Sequence, residues 1–339
     1  MPRIPLSQSA RPLARAGLAC LLLLTLGGCP QAPATSTQPS AAPLPQVSVG
    51  LAIPSYVHGV AWIGQDQGHF RAAGVETRLQ VMGGSAATLR TLIAEGIEIG
   101  LAGGDAVVKA NRAGADLVVV GGLVDRFYHR LVVPTSLETA EDLRGKALGL
   151  AIRGGPQEMA ARFGLESLGL EPDRDVTIRS LGKEFNRLAA VSRGDVQATI
   201  SQTPPSRLEE LGLKVLVDLP AQDVRFPYAV VVTRRAFLQE HPERVRAFLD
   251  GLSRAVRFYK DEANKGACLA ILAKHLSSSD TQAAAEERYA TGGPSMITAS
   301  LVPSEEGFQT VLRFLEIKDK QPRDYLDLSL LQELAGVPR

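Results

Sequence analysis

A four-residue phrase occurs twice in this chain, 99 residues apart, as Gly50-Leu51-Ala52-Ile53 and Gly149-Leu150-Ala151-Ile152. Each copy closes a short apolar run and opens on a turn, Pro54-Ser55-Tyr56 in the first and Arg153-Gly154-Gly155-Pro156 in the second. Pro suits a first helical position because its missing N–H would have no partner there. The glycines let backbone approach a ligand closely, and free N–H groups at a helix start attract acceptor groups. The echo persists downstream, where Ala94-Glu95-Gly96 answers to Ser192-Arg193-Gly194 with the glycines 98 residues apart. A period of this size predicts two similar βαβαβ modules rather than a solenoid of short repeats.

Between these turns, apolar strands alternate with helices. Strands are expected over 47–53, 75–82, 97–102 and 117–123 in the first module and over 147–152, 175–179, 198–201 and 213–219 in the second. Runs this apolar predict a parallel sheet covered on both faces. The extended runs 130–134 and 226–233 read as crossings between modules. Further on, Val245, Phe248, Leu249, Leu252, Val256 and Tyr259 fall at helical spacing, as do Phe308, Val311, Leu312 and Leu315, with Asp280 and Ser304 as expected N-caps. The expected fold is therefore α/β: two Rossmann-like lobes joined by a two-strand hinge, 47–131 plus 229–339 forming the first lobe and 132–228 the second, with C-terminal helices packed on the first lobe.

A pair of extended crossings can bend, so such lobes can open and close around a ligand. In open α/β sheets ligands bind beyond the carboxyl ends of the strands. That rule nominates Ser55, Tyr56, His58, Gly84, Ser85, Gly104 and Asp105 from the first lobe, Arg153, Gly154, Gly155, Gln202 and Thr203 from the second, and Tyr228 on the hinge. The planar guanidinium of Arg153 suits an anionic group, though an exposed surface arginine fits equally well. Ser85 and Asp105 also suit helix capping, and Asp105 alternatively suits an amine. Trp62 reads as core.

The charges, 37 Lys and Arg against 36 Asp and Glu, leave a net charge of +1 and none of the basic excess of a nucleic-acid binder. Phosphate-loop, dinucleotide, zincin, nucleophile-elbow and paired-cysteine spacings are all missing, and the five histidines are scattered. No catalytic residue, metal or cofactor is expected. At the N-terminus, Arg3, Arg11 and Arg15 precede an apolar run at 18–26 that is too short to span a bilayer, so 1–28 reads as a signal peptide. The Pro/Ala/Ser/Thr/Gln tract of 29–46 reads as a flexible tether. Cys268, beside Leu269 and Leu272, suits apolar packing.

Two resemblances sharpen these expectations. Leu26-Gly27-Gly28-Cys29 resembles the bacterial lipobox, which implies a diacylated Cys29 as the mature N-terminus. Pro30 stands where the inner-membrane retention Asp would be, so either membrane is open to it. The second resemblance rests on Gly68-His69-Phe70, Gly83-Gly84-Ser85, Asp142-Leu143-Arg144-Gly145-Lys146, Gly194-Asp195-Val196-Gln197-Ala198 and Pro242-Glu243-Arg244-Val245, in that order. It resembles the nitrate/sulfonate/taurine and thiamine-precursor group of ABC-transporter substrate-binding proteins, with the type II periplasmic-binding-protein fold. The resemblance implies a small polar or anionic organic ligand, a permease and its ATPase as partners, and a monomer outside the cytoplasm. Glu98 stands where the group often has Asp, with Asp195 as its expected counterpart in the second module. The pyrimidine-synthase relatives carry a cysteine cluster that this chain lacks, which counts against the alternative of an enzyme (a synthase or dehydratase) on the same fold. A sensory lipoprotein is the other alternative.

Overall fold

The computed structural model describes residues 43–276 and 282–336. The signal peptide, Cys29 and the N-cap at Asp280 lie outside these residues.

Among the described residues ten strands form, β1 (Gln46–Leu51), β2 (Glu76–Val81), β3 (Ile99–Ala102), β4 (Leu117–Arg126), β5 (Arg130–Pro134), β6 (Lys146–Leu150), β7 (Val176–Ser180), β8 (Ala198–Ser201), β9 (Leu213–Asp218) and β10 (Arg225–Arg234). They make two five-stranded sheets, ordered β2-β1-β3-β10-β4 and β7-β6-β8-β5-β9. The most apolar runs take central places. All four residues of β3 and all four of β8 are buried, whereas β2, at an edge, buries only Thr77.

The sheets are not wholly parallel as expected. β10 runs antiparallel to β3 and β4, and β5 runs antiparallel to β8 and β9. The connectivity explains this: each sheet receives one strand arriving from the other sheet, and that strand inserts with the opposite sense. Each half therefore repeats one plan, three parallel strands, an inserted reversed strand and a closing strand. The internal repeat is visible at single residues. Glu98 Oε2 accepts from Ser48 N at 2.6 Å while Glu98 N donates to Ser48 O. In the second half it is Gln197, not Asp195, that does the same, its Oε1 accepting from Ala147 N at 3.5 Å and its N donating to Ala147 O. Asp195 instead holds Arg193 at the surface.

The chain passes between sheets at 127–129 and again at 219–224, just before the reversed strands. Rings of the first passage pack against rings at the start of β10. Phe127 stacks on Phe226 at 4.3 Å, and Tyr128 meets Tyr228 at 4.4 Å. The C-terminal helices cover the first sheet. Pro242–Lys260 packs on Gly59–Asp66 and His69–Ala72, where Phe248 stacks on Phe70 at 5.1 Å. Gly251 permits that approach, since a Cβ there would lie 2.5 Å from the Phe70 ring. Trp62 is buried, stacked on His275, Cys268 is buried in the same core, and Ser304 caps Glu305–Phe314 by accepting from Gly307 N.

Candidate functional site

At the end of β1 the chain folds into a compact turn because Ser55 satisfies it locally. Its Oγ lies 2.8 Å from His58 Nδ1 and accepts from His58 N, while Gly59 N bonds back to Ser55 O. Burial pushes the His58 imidazole down to about 4, so it is neutral at physiological pH. Its Nε2 has no hydrogen-bond partner among the described residues. At the end of β2, Gly83 and Gly84 adopt φ of +81° and +133°, which other residues rarely tolerate. Ser85 then opens a helix and accepts from Gly103 N at 3.0 Å, tying the ends of β2 and β3 together.

Beyond β3, Gly103 and Gly104 are spaces that the rest of the molecule fills. A Cβ on Gly103 would lie 2.5 Å from the Pro156 ring, and one on Gly104 would lie 2.6 Å from Pro227. Gly103 belongs to the first sheet's strand ends and Pro156 to the second's, so the halves touch there. Asp105 is wholly buried. Its Oδ2 accepts from Lys109 Nζ at 3.0 Å, its Oδ1 is unpartnered among the described residues, and burial pushes its pKa up.

In the second half, Arg153 is committed elsewhere. Its guanidinium reaches Glu158 at 2.9 Å and Asp173 at 3.2 Å, and Arg162 shares both carboxylates. Gly154 N donates to the same Glu158, whose carboxyl, despite burial, these donors hold down to about 2. Arg153, Gly154 and Gly155 thus shape the start of the helix Pro156–Glu166.

Past β8 lies a different arrangement. Ser201 Oγ, Gln202 N and Thr203 Oγ1 all donate to one oxygen of Glu184, Oε1. Burial by itself raises the Glu184 pKa; these bonds, with the Arg187 guanidinium nearby, outweigh it and hold the carboxylate ionised. Gln202 Nε2 donates to His129 Nε2 at 3.0 Å, which places the imidazole proton on Nδ1, an atom unpartnered among the described residues. Burial keeps His129 neutral, wedged between Gln202 and the Tyr228 ring.

A cavity of about 340 Å³ opens on this floor. Tyr56 comes to it from the end of β1, Glu184, Phe185, Gln202 and Thr203 from the second half, and Arg288, Thr291 and Gly292 from the helix Gln282–Gly292. Of the residues nominated from the sequence, Tyr56, Gln202 and Thr203 line this cavity, and Tyr228 stands behind it against His129. Ser55, His58, Gly84, Ser85, Gly104 and Asp105 form the first half's linked turns, and Arg153, Gly154 and Gly155 form the second half's opposing turn. None of these nine lines the cavity. Sequence reasoning missed Glu184, Phe185, His129 and the helix Gln282–Gly292. No local sequence pattern marks these residues; Phe185 stands out only once the fold leaves it 81% exposed.

Among the described residues no helix is long and apolar enough to cross a membrane, and no three His, Cys, Asp or Glu side chains are grouped to hold a metal ion. The NMT1/THI5-like family profile matches residues 55–264. No curated protein matches the sequence. Among solved structures, a protein from Bordetella bronchiseptica RB50 aligns with a TM-score of 0.71 at 17% identity, covering 86% of this chain and 97% of that one. The periplasmic aliphatic sulphonate binding protein SsuA from Escherichia coli aligns at 0.67 and 20% identity, covering 86% and 99%. A mutant of DSZB in complex with biphenyl-2-sulfinic acid aligns at 0.58 and 15% identity, covering 86% and 99%. The fold is that of the type II periplasmic binding proteins.

Proposed function

The chain belongs to the NMT1/THI5-like family, and from that premise we propose that it is a lipid-anchored solute-binding protein of an ABC importer, working outside the cytoplasm. The observation that carries this reading is the cavity, where Tyr56 beyond the first sheet and the helix Gln282–Gly292 face Glu184, Gln202 and Thr203 of the second, in a chain that passes between two like-built sheets at 127–129 and 219–224. A small polar organic solute binds the separated lobes, 47–131 with 229–339 on one side and 132–228 on the other. Closure then brings Tyr56 and the helix Gln282–Gly292 against Glu184, Gln202 and Thr203. The closed form gains population because the solute contacts both walls only there. The permease accepts the closed monomer and its ATPase drives uptake, while the lipid on Cys29 holds the receptor at the membrane and raises its local concentration.

A thermal-shift screen of the mature chain against a broad metabolite library tests this reading, because a ligand that binds only the folded state raises the melting temperature. Hits should also reduce the radius of gyration in solution scattering. A blank screen, or hits that leave the radius unchanged, overturns the solute-binding reading. Mass spectrometry of the membrane-extracted chain should find acylated Cys29 at the N-terminus; an unmodified N-terminus elsewhere removes the anchor.

A further inference from the structure

We propose that the solute presents a cationic donor group, a protonated amine, to Glu184 and lays an apolar body along Phe185. This rests on the solute-binding reading and names the chemistry of its ligand.

Glu184 opens the helix Glu184–Ser192 on the cavity floor. Its hydrogen bonds arrive on Oε1 alone, from Ser201 Oγ at 2.5 Å, Gln202 N at 2.8 Å and Thr203 Oγ1 at 3.3 Å. Oε2 accepts none from any described residue. An ionised carboxylate is acceptor-only, with about two lone-pair sites on each oxygen. One oxygen is thus saturated by the protein, and the other is what the carboxylate offers to the cavity.

The surrounding cations do not reverse that polarity. Arg187 gives its donors to Gly182 O, Thr199 Oγ1 and Ile200 O. Arg207 is paired with Glu210, Arg153 with Glu158, and His129 is neutral. The facing helix contributes Glu287 and Arg288, one charge of each sign. A simple anion entering this cavity meets the Glu184 carboxylate on its floor; an ammonium meets a partner of opposite charge in a partly desolvated site. Beside Glu184, Phe185 leaves 81% of its surface exposed, with Leu188 one turn on in the same wall. A solute with an apolar body would cover both.

The test compares three probes on the full mature chain by titration calorimetry: 2-phenylethylamine, 3-phenylpropionate and ethanesulfonate. The amine should bind about tenfold or more tightly than either anion, and Glu184→Gln should remove that preference. Phe185→Ala, at an exposed position, should leave the unliganded melting temperature unchanged and weaken the amine about fivefold or more. If Glu184→Gln fails to fold, the wild-type preference and Phe185→Ala decide the matter. An anion that outcompetes the amine, a preference that survives Glu184→Gln, or an unaffected Phe185→Ala overturns the proposal while leaving the solute-binding reading standing. Binding of none of the three also overturns it; the solute-binding reading falls with it only if the metabolite screen is blank as well.

Discussion

Acid should weaken this fold through His58, and the amount follows from where the side chain sits. The imidazole is 6% exposed, and burial places its pKa at about 4, against 6.5 for the unfolded chain. Between those values the unfolded chain takes up a proton that the native chain refuses. Stability contributed by the neutral ring is therefore full above pH 6.5 and is lost as pH falls toward 4. The whole gap corresponds to about 3 kcal/mol, and about 2 kcal/mol of it is gone by pH 5. His58→Gln removes the titration while keeping an amide within reach of Ser55 Oγ, which now lies 2.8 Å from Nδ1. Urea unfolding at pH 7.5 and pH 5.0 should show the wild type losing about 2 kcal/mol more than the variant. His129 titrates in both chains and cancels in the difference. Equal losses in the two chains, within about 0.5 kcal/mol, would refute the claim that the native fold excludes a proton from His58.

Two further substitutions separate closure from ligand contact. Gly103→Ala puts a Cβ 2.5 Å from the rigid Pro156 ring across the gap between the halves, so it should raise the dissociation constant of a screen hit about fivefold to a hundredfold, the equivalent of about 1–3 kcal/mol of overpacking. Pro156→Ala on that background should recover the part of the loss due to the ring, leaving the part due to Asp105 Oδ1, 2.7 Å from the same Cβ, and additive effects of the two changes would show that the contact across the gap does not limit closure. Arg153→Ala breaks ion pairs on a side chain that is 45% exposed, so it should lower stability by at most about 1 kcal/mol and leave ligand affinity within twofold. A loss of affinity near tenfold in calorimetry would put Arg153 back at the ligand.

The repeat was legible because the features that made it are local. A glycine-ended apolar run must be a strand that stops, and two such runs a fixed distance apart must be two strands in like surroundings. Strand direction has no such signature. The Val-rich runs of β4 and β10 read the same whichever way they lie in the sheet, since both faces are buried in either sense. Only the route of the chain, out through 127–129 and back through 219–224, settles that β10 and β5 are reversed. The same limit misassigned the counterpart of Glu98. Asp195 matches it in charge, but Gln197 occupies the register position from which a side chain reaches back to the first strand.

The site divides along the same line. Tyr56, Gln202 and Thr203 follow directly from strand ends, and strand ends are what an apolar pattern locates. Arg153 follows from the same rule but has its charge taken up by Glu158 and Asp173, residues 5 and 20 positions away that no turn motif announces. Glu184 is the reverse case. In the sequence it is one acidic residue near a helix start, where an acid is favoured by the helix dipole whatever the function. What sets it apart is that β8 ends beside it, so that Ser201, Gln202 and Thr203 all spend their donors on a single oxygen. That convergence joins segments 17 to 19 residues apart, and it exists only once the strand and the helix have packed. The chemistry offered to a ligand is set by which oxygen the fold leaves over, a property of packing rather than of residue type.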